Sequence, residues 1–169
     1  MRVTLERWGA DDIELLERAN SPEMTRFLGG PESDDAIAER HHDYLDLWET
    51  GEVVMFRVEV DGVAAGYAGW WTEVHEDAPV YEIGCVIEPA WQGRGAASAA
   101  LAEVVRRAVA TGEGRPIVGY ANVDNAASNA LCERVGFSLV GTGAFASEGE
   151  QAGMSVNVWM IDPRRPGGP

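Results

Sequence analysis

One unit in the middle of the chain, a strand followed by a glycine turn and a helix, restricts the possible folds most. Val80 to Ile87 has the composition of a strand, and Ala97 to Thr111 has apolar residues at helical spacing. Between them lies the run Gln92 to Ala97, in which Gly93 and Gly95 permit main-chain conformations that other residues rarely adopt. Successive N–H groups of such a turn, with those of the first helical turn, can converge on an anion. The unit therefore predicts either an ordinary tight turn or a phosphate-binding site.

Patterns on both sides of this unit predict the other elements. The Asp61-Gly62 pair is the strongest hairpin signal and predicts that its flanking strands are antiparallel. The other predicted strands are Val3 to Trp8, Val53 to Val60, Val63 to Trp71, Ile117 to Ala121, Leu139 to Phe145 and Met154 to Ile161. A short predicted helix is capped by Asp11 or Asp12 and runs through Ala19. A longer one runs from Asp34 to Thr50 after the cap residue Ser33. A third runs from Ala126 to Val135 and ends at Gly136. Early hairpin strands followed by strand–helix units imply an α+β or α/β layer sandwich, with a mixed sheet and helices on both faces.

A second patterned segment begins one helix and one strand after the glycine turn. It contains Asn125-x-x-Ser128 and ends in Gly136-Phe137. Together with the loop Gln92-x-x-Gly95-x-Ala97, it resembles the GCN5-related N-acetyltransferase (GNAT) superfamily, whose acetyl-CoA loop reads Gln/Arg-x-x-Gly-x-Gly/Ala. Within that superfamily the chain is similar to the branch of ribosomal-protein-alanine and antibiotic N-acetyltransferases. The resemblance implies a GNAT-like fold with a mostly antiparallel central sheet, and acetyl-CoA as the cosubstrate.

The resemblance also implies which residues bind acetyl-CoA. The acyl-pantetheine arm would pair with the main chain of the preceding strand near Cys85, Val86 and Ile87. Asn125 and Ser128 would contact pantetheine or adenosine, although the alternative is a simple helix start with Asp124 or Asn125 as the cap and Ser128 in the first turn. The diphosphate would lie on the loop residues Gln92, Gly93, Arg94, Gly95, Ala96 and Ala97.

Three residues are candidates for proton transfer. Glu82 lies on the predicted cofactor strand, and its carboxylate would take the proton of the acceptor ammonium directly or through water. A solvated or salt-bridged glutamate is an equally good interpretation. Many GNAT proteins have a tyrosine four residues before the Gly-Phe pair as general acid, whereas this chain has Cys132, either a proton donor or an inert buried thiol. Tyr120 is a further candidate for the acid.

The leading functional hypothesis is an acetyl-CoA-dependent N-acetyltransferase. It would transfer the acetyl group to a primary amine of a small molecule or a protein N-terminus, directly in a ternary complex. An alternative of another class is a catalytically silent acyl-CoA-binding sensor or interaction module, which the departure at Cys132 favours. A nucleotide-binding protein is a third possibility, but the glycine turn lacks the Lys-Ser/Thr of a phosphate-binding P-loop and the spacing of a dinucleotide fingerprint.

The charge of the chain restricts its partners. Thirteen basic and 28 acidic residues give a net charge of −15 and argue against binding to nucleic acid or an anionic membrane. The negative electrostatic field would steer a cationic amine toward the protein, although solubility alone accounts for such acidity as well.

The 169 residues fit one domain, 1–162, with a disordered tail, 163–169, and the protein is expected to be either a monomer or a homodimer. Without a signal-like or membrane-spanning segment, the expected location is the cytoplasm, with Cys85 and Cys132 reduced.

The acceptor site has the weakest pattern in the chain. The early helices and the loop predicted after Trp71 are expected to line it. A candidate aromatic wall of this site would consist of Trp48, Tyr67, Trp70, Trp71 and His75. Such a wall would favour a cationic amine, and Glu73, Glu76 and Asp77 would add negative charge. Core packing explains each aromatic residue as well. The histidines lack metal-ligand spacing to acidic neighbours, so no metal site is predicted.

Overall fold

One mixed sheet of seven strands forms the centre of the protein. The computed structural model describes residues 1–144 and 153–164, and in this part of the chain the strand order is β1-β2-β3-β4-β5-β7-β6. The strands are β1 (Val3–Arg7), β2 (Val53–Val60), β3 (Val63–His75), β4 (Ala78–Ile87), β5 (Ile117–Asn122), β6 (Ser138–Ala144) and β7 (Ser155–Ile161). The helices are α1 (Ile13–Ala19), α2 (Pro22–Thr25), α3 (Asp34–Asp46), α4 (Ala96–Ala110) and α5 (Ala126–Val135).

The pairing of the strands confirms the predicted fold class. β4 and β5 are parallel, and the other neighbouring strands of the described sheet are antiparallel. The predicted hairpin joins β2 to β3, where Asp61 and Gly62 both have positive φ angles of 52° and 83°. A mixed, mostly antiparallel sheet with helices on both faces is the architecture expected from the sequence.

The two faces of the sheet carry different helices because side chains alternate along each strand. Helix α4 contributes Leu101, Val104 and Val105 to the larger core, which also includes Phe56 and Trp70. We call this side the α4 face; Cys132 and Phe137, in and after α5, belong to it as well.

The opposite side is the α1 face. Leu15 and Leu16 of α1 and Ile37 and Tyr44 of α3 pack there against Met55 of β2. Every strand residue therefore presents its side chain to one of two separate environments.

Several element boundaries differ from the prediction. The helix predicted from Asp34 to Thr50 ends at Asp46, and the short helix α2 was not predicted. The segment after Trp71 is not a loop, because β3 continues to His75 and pairs with β4 up to a tight turn. That turn consists of Glu76 and Asp77, which both have positive φ. Polar composition here reflects two exposed strand ends whose backbone groups satisfy each other.

Other predictions extend beyond the described residues. Phe145, the predicted end of a strand, lies outside them, and β6 spans Ser138–Ala144. Most of the predicted tail, from residue 165 onward, also lies outside them. Among the described residues, no helix is both long enough and apolar enough to cross a membrane.

Candidate active site

The central feature of the candidate site is a gap between the two parallel strands. Along the described lengths of β4 and β5, only Tyr81↔Ile117 and Glu82↔Val118 are paired. Beyond Glu82 the two strands separate, while β4 stays paired with β3 through Ile87. The second half of β4 thus offers one edge without a partner strand.

Strand alternation decides which main-chain groups of β4 face the gap. The N–H of Tyr81 donates to Pro116 O at 2.9 Å, on the β5 side, and the N–H of Glu88 donates to Ala65 O at 2.8 Å, on the β3 side. Neighbouring residues of a strand direct their main-chain N–H and C=O groups to opposite edges. The N–H and C=O groups of Cys85 and Ile87 therefore point into the gap, and those of Val86 point toward β3. Backbone contact with a ligand in the gap is therefore available at Cys85 and Ile87.

The glycine loop closes one end of this gap. Gln92 is tied to β4, because its Nε2 donates to Ile87 O at 2.7 Å. Gly93 and Gly95 have positive φ angles of 72° and 87°, and a Cβ at Gly93 would have no atom within 4 Å. Conformation, and not lack of space, therefore explains glycine at this position. Arg94 is exposed, with its guanidinium carbon 5.9 Å from the centre of the Trp91 ring.

Helix α4 begins at Gly95 without a side-chain cap. None of the main-chain N–H groups from Gly93 to Ser98 donates a hydrogen bond to another described residue. Ala96 is buried and Ala97 is partly buried, so this turn lies close against the core. A set of unpaired donors at the positive end of a helix favours a bound anion.

Helix α5 begins differently. Asn125 caps it, because Asn125 Oδ1 accepts a hydrogen bond from the N–H of Ser128 at 3.1 Å. The capping interpretation is thus confirmed, while contact of Asn125 and Ser128 with a cofactor stays a prediction. The Asn125 amide nitrogen and the Ser128 hydroxyl make no hydrogen bond to the described residues.

Asn129 is a residue whose role the sequence did not reveal. Its amide nitrogen donates to Asn122 O and Asn125 O, both at 2.9 Å. Its Oδ1 accepts from Asn157 Nδ2 at 2.8 Å and from Trp159 Nε1 at 2.9 Å. This side chain ties the start of α5 to β5 and β7, and its one signal in the sequence is the Asn-x-x-x-Asn spacing from Asn125 to Asn129.

Two cysteines lie on the α4 face at the gap. Cys132 is 7% exposed, and its Sγ would lie 3.8 Å from a Cβ placed on Gly119 of β5. Burial raises the pKa of Cys132 to about 11 and that of Cys85 to about 12. Both groups are therefore neutral thiols near pH 7, which can donate a proton but are poor nucleophiles.

Glu82 presents its side chain to the α1 face. Burial, together with the charge of Glu73, raises the pKa of Glu82 to about 7, and the side chain of Trp71 opposes that rise by hydrogen bonding. Trp71 is the cross-strand partner of Glu82. A carboxylate that titrates near neutral pH is suited to act as a general base.

Tyr120 shares the α1 face with Glu82. Its hydroxyl lies 2.9 Å from His75 Nδ1. Burial and the nearby charge of Glu82 raise the pKa of Tyr120 to about 12. The two candidate acids thus lie on opposite faces of the sheet, Tyr120 beside the candidate base and Cys132 beside α4.

A small open cleft of about 70 Å³ lies on the α1 face. Glu32 and Arg40 form an ion pair on its wall, and Asn20 holds the main chain of Glu32 through two hydrogen bonds of 2.8 Å. Tyr67 of β3 and Val86 of β4 also line the cleft, and burial raises the pKa of Tyr67 to about 12. The cleft thus reaches the strand that borders the gap.

The predicted aromatic wall is wrong for two of its five members. Trp70 is 4% exposed in the core of the α4 face, and Trp48 packs against Phe56 in the same core, with ring centres 5.1 Å apart. Strand alternation places Tyr67, Trp71 and His75 on the α1 face instead. Among the described residues, no group of three His, Cys, Asp or Glu side chains is placed to hold a metal ion.

Comparison with known proteins identifies the family. The model of the acetyltransferase (GNAT) domain matches residues 2–138. Similar solved structures include RimL, a ribosomal L7/L12 alpha-N-protein acetyltransferase in complex with coenzyme A, with a TM-score of 0.76, 20% identity and coverage of 95% of this chain and 93% of that chain. An acetyltransferase from Salmonella typhimurium that modifies the N-terminal serine of the same ribosomal protein has a TM-score of 0.74, 18% identity and coverage of 95% and 94%.

A third similar structure is yncA, a putative acetyltransferase from Salmonella typhimurium with its cofactor acetyl-CoA. Its TM-score is 0.76, its identity is 19%, and the match covers 99% of this chain and 97% of that chain. At these identities the structural likeness establishes the fold, and no curated protein matches the chain at a significant level. The match of the family model over most of its length shows that the chain belongs to the GNAT acetyltransferase family, whose members are N-acetyltransferases.

Proposed function

We propose that this protein uses acetyl-CoA to acetylate a primary amine, of a small molecule or a protein N-terminus, by direct transfer in a ternary complex. The observation that carries the proposal is the gap between β4 and β5, which opens beside an uncapped helix N-terminus. An extended ligand with an anionic segment fits both features, because the strand edge needs main-chain partners and the helix start favours negative charge.

The glycine loop would hold the diphosphate of acetyl-CoA. The N–H groups from Gly93 to Ala97 supply donors, and the α4 dipole adds positive potential. Arg94 and Gln92 are the polar side chains of the loop, and Arg94 carries the positive charge. Because the net charge of −15 repels a polyanion at long range, this attraction has to be local. The amide of Asn125 and the hydroxyl of Ser128 would bind the pantetheine or adenosine portion.

The unpaired edge of β4 would hold the pantetheine arm as a neighbouring strand would. Cys85 and Ile87 supply the main-chain contacts, and the Cys85 N–H is aimed into the gap to polarise the thioester carbonyl. We assign Val86 to the acceptor side, because its peptide group faces β3 and it lines the cleft.

The acceptor amine would approach on the α1 face, where Glu82 takes its proton. The amine nitrogen then attacks the thioester carbon, so that a C–N bond forms, the C–S bond breaks and the CoA thiolate leaves. The thiol of Cys132 is the proton donor that we assign to the thiolate. In RimL, a disulfide joins coenzyme A to a cysteine, which supports a cysteine beside the CoA sulfur in this fold. Tyr120 shares the face of Glu82, so we assign it to the acceptor side.

The cleft on the α1 face would receive the rest of the acceptor. Glu32 and Arg40 neutralise each other, so the wall of the cleft presents acceptor and donor groups and this pair adds no excess charge. Such a wall suits an acceptor with polar groups of both kinds beside its amine, as a peptide N-terminus has. One similar protein modifies the N-terminal serine of a ribosomal protein. We further propose that residues 1–162 act as one domain in the cytoplasm, where thiols stay reduced.

The test combines turnover with cofactor binding. Acetyl-CoA is incubated with a panel of small primary amines and peptides, and released CoA is measured with a thiol dye. We expect turnover, with kcat/KM rising as the pH increases through about 7, because the Glu82 carboxylate has to be ionised. Glu82→Gln should lower kcat/KM by roughly 10²–10⁴-fold and leave thermal stabilisation by CoA unchanged. Stabilisation by CoA without turnover on any amine would overturn the proposal in favour of the silent acyl-CoA-binding module.

A further inference from the structure

Trp71 lies between the candidate base and the acceptor cleft. It is the cross-strand partner of Glu82, and its ring covers Gly84, the next residue of β4 on the same face. A Cβ placed on Gly84 would be only 3.1 Å and 3.2 Å from Cζ3 and Cη2 of the indole. The absence of a side chain at Gly84 therefore leaves room for this edge of the indole against the strand.

The rest of the α1 face holds the indole in this position. Trp71 packs against the cluster that contains Trp8, Leu15 and Met55. With the six-membered ring fixed over Gly84 and the backbone fixed opposite Glu82, the orientation of the indole N–H is fixed as well. The indole N–H is the polar hydrogen of this side chain, and Glu82 is the residue directly across the strand pair from it.

We propose that Trp71 is a positioning residue for the base: its indole N–H holds the Glu82 carboxylate against the sheet where β4 and β5 separate. This inference rests on the proposed role of Glu82. The other groups that face Glu82 are Glu73 on β3 and Tyr120 on β5, which is bonded to His75. Glu73 repels a second negative charge, so the indole is the group on β3 that favours the ionised, reactive form.

The decisive variant is Trp71→Phe, which keeps a ring over Gly84 and removes the N–H. Loss of a hydrogen bond to the carboxylate raises the pKa of Glu82, so the acid limb of the pH profile should move up by about one pH unit. At pH about 6, kcat/KM should then fall about tenfold, because that limb changes tenfold per unit. At the alkaline plateau, kcat/KM should stay within about threefold of the wild-type value.

Trp70→Phe is the matched control. It makes the same chemical change at the preceding residue, whose side chain lies in the opposite core. We expect it to lower thermal stability and to leave the acid limb in place. Gly84→Ala is a second, independent variant, because its Cβ would displace the indole, and it should move the limb in the same direction.

A titration of the Glu82 carboxyl by ¹³C NMR separates this proposal from the proposed function. A shift in both the NMR titration and the rate profile of Trp71→Phe supports both. A shift in the NMR titration alone supports the hold of Trp71 on the carboxylate and counts against Glu82 as the base. If neither Trp71→Phe nor Gly84→Ala moves the titration of Glu82, the proposal for Trp71 is wrong.

Discussion

The two helices that follow the parallel strands β4 and β5 begin in opposite ways. Helix α4 starts at Gly95, in a left-handed conformation, without a side-chain cap. Helix α5 starts at Asn125, whose own oxygen accepts the N–H of Ser128. A capping oxygen occupies the position that an external anion would take, whereas glycine leaves that position open. Under the proposed function, α4 is the helix that binds the ligand, whereas α5 is capped by a residue of the protein itself.

A negative charge in the glycine loop gives the strongest test of this difference. Gly93→Asp should weaken CoA binding by about fivefold to nearly a thousandfold, since a carboxylate about 4 Å from a phosphate costs roughly 1–4 kcal/mol. Gly93→Asn is the matched control, because both residues tolerate positive φ and only one is charged. Calorimetry with CoA provides the measurement. Equal affinities for the Asp and Asn variants would show that the diphosphate lies elsewhere.

A change at Cys132 tests whether α5 contributes chemistry in addition to structure. Cys132→Ala should lower kcat by about tenfold, less than a typical general acid contributes, because a CoA thiolate is a good leaving group. CoA affinity should change little, and Cys132→Ser, which keeps an O–H donor, should recover part of kcat. Steady-state kinetics at saturating substrate measure the effect. An unchanged kcat in the Ala variant would make Cys132 an inert thiol.

Two substitutions at Asn125 separate capping from cofactor contact. Asn125→Ala should reduce the free energy of unfolding by about 1 kcal/mol, the usual cost of losing a cap. Asn125→Asp keeps the capping oxygen and loses the amide donor, so it should unfold like the wild type and bind CoA about threefold more weakly. Urea unfolding and calorimetry are the two measurements. If Asn125→Asp binds CoA normally, the capping role is the whole role of this residue.

Ionic strength should have the smallest effect. Because the protein is strongly anionic, added salt screens its repulsion of CoA while the contacts at the α4 N-terminus are short and local. Raising the salt concentration from about 20 to 200 mM should therefore strengthen CoA binding by about twofold or leave it unchanged. Calorimetric titrations at the two concentrations check this. A marked loss of affinity in salt would mean that Arg94 and other side-chain charges dominate.

The sequence predicted those parts of the fold that have local causes. Asp61-Gly62 fixes a tight turn through its own φ angles, and the glycines of the loop are required by theirs. The end of α5 at Gly136, with a φ angle of 101°, has the same origin. Local backbone requirements of this kind leave a mark within a few residues, so one sequence is enough to identify them.

The acceptor side could not be predicted, because its contacts join distant segments. Asn20 holds Glu32 across 12 residues, and Glu32 pairs with Arg40, with no periodic pattern to reveal either contact. Trp70 and Trp71 are adjacent and chemically identical, so alternation puts them on opposite faces, and only the register of β3 against β4 decides which of them lies on which face. The raised pKa of Glu82 likewise depends on burial that the sequence does not contain.

The unpaired edge of β4 makes the stability of the protein depend on whether its substrate is bound. A molecule that enters between β4 and β5 would complete the hydrogen bonding of the sheet at the main chain of Cys85 and at the N–H of Ile87, both beyond the two pairs that join these strands. Binding to the native form alone adds about 2.7 kcal/mol to the free energy of unfolding when the substrate is at roughly a hundred times its dissociation constant. Amide hydrogen exchange at these two residues would then report directly what fraction of the enzyme is loaded.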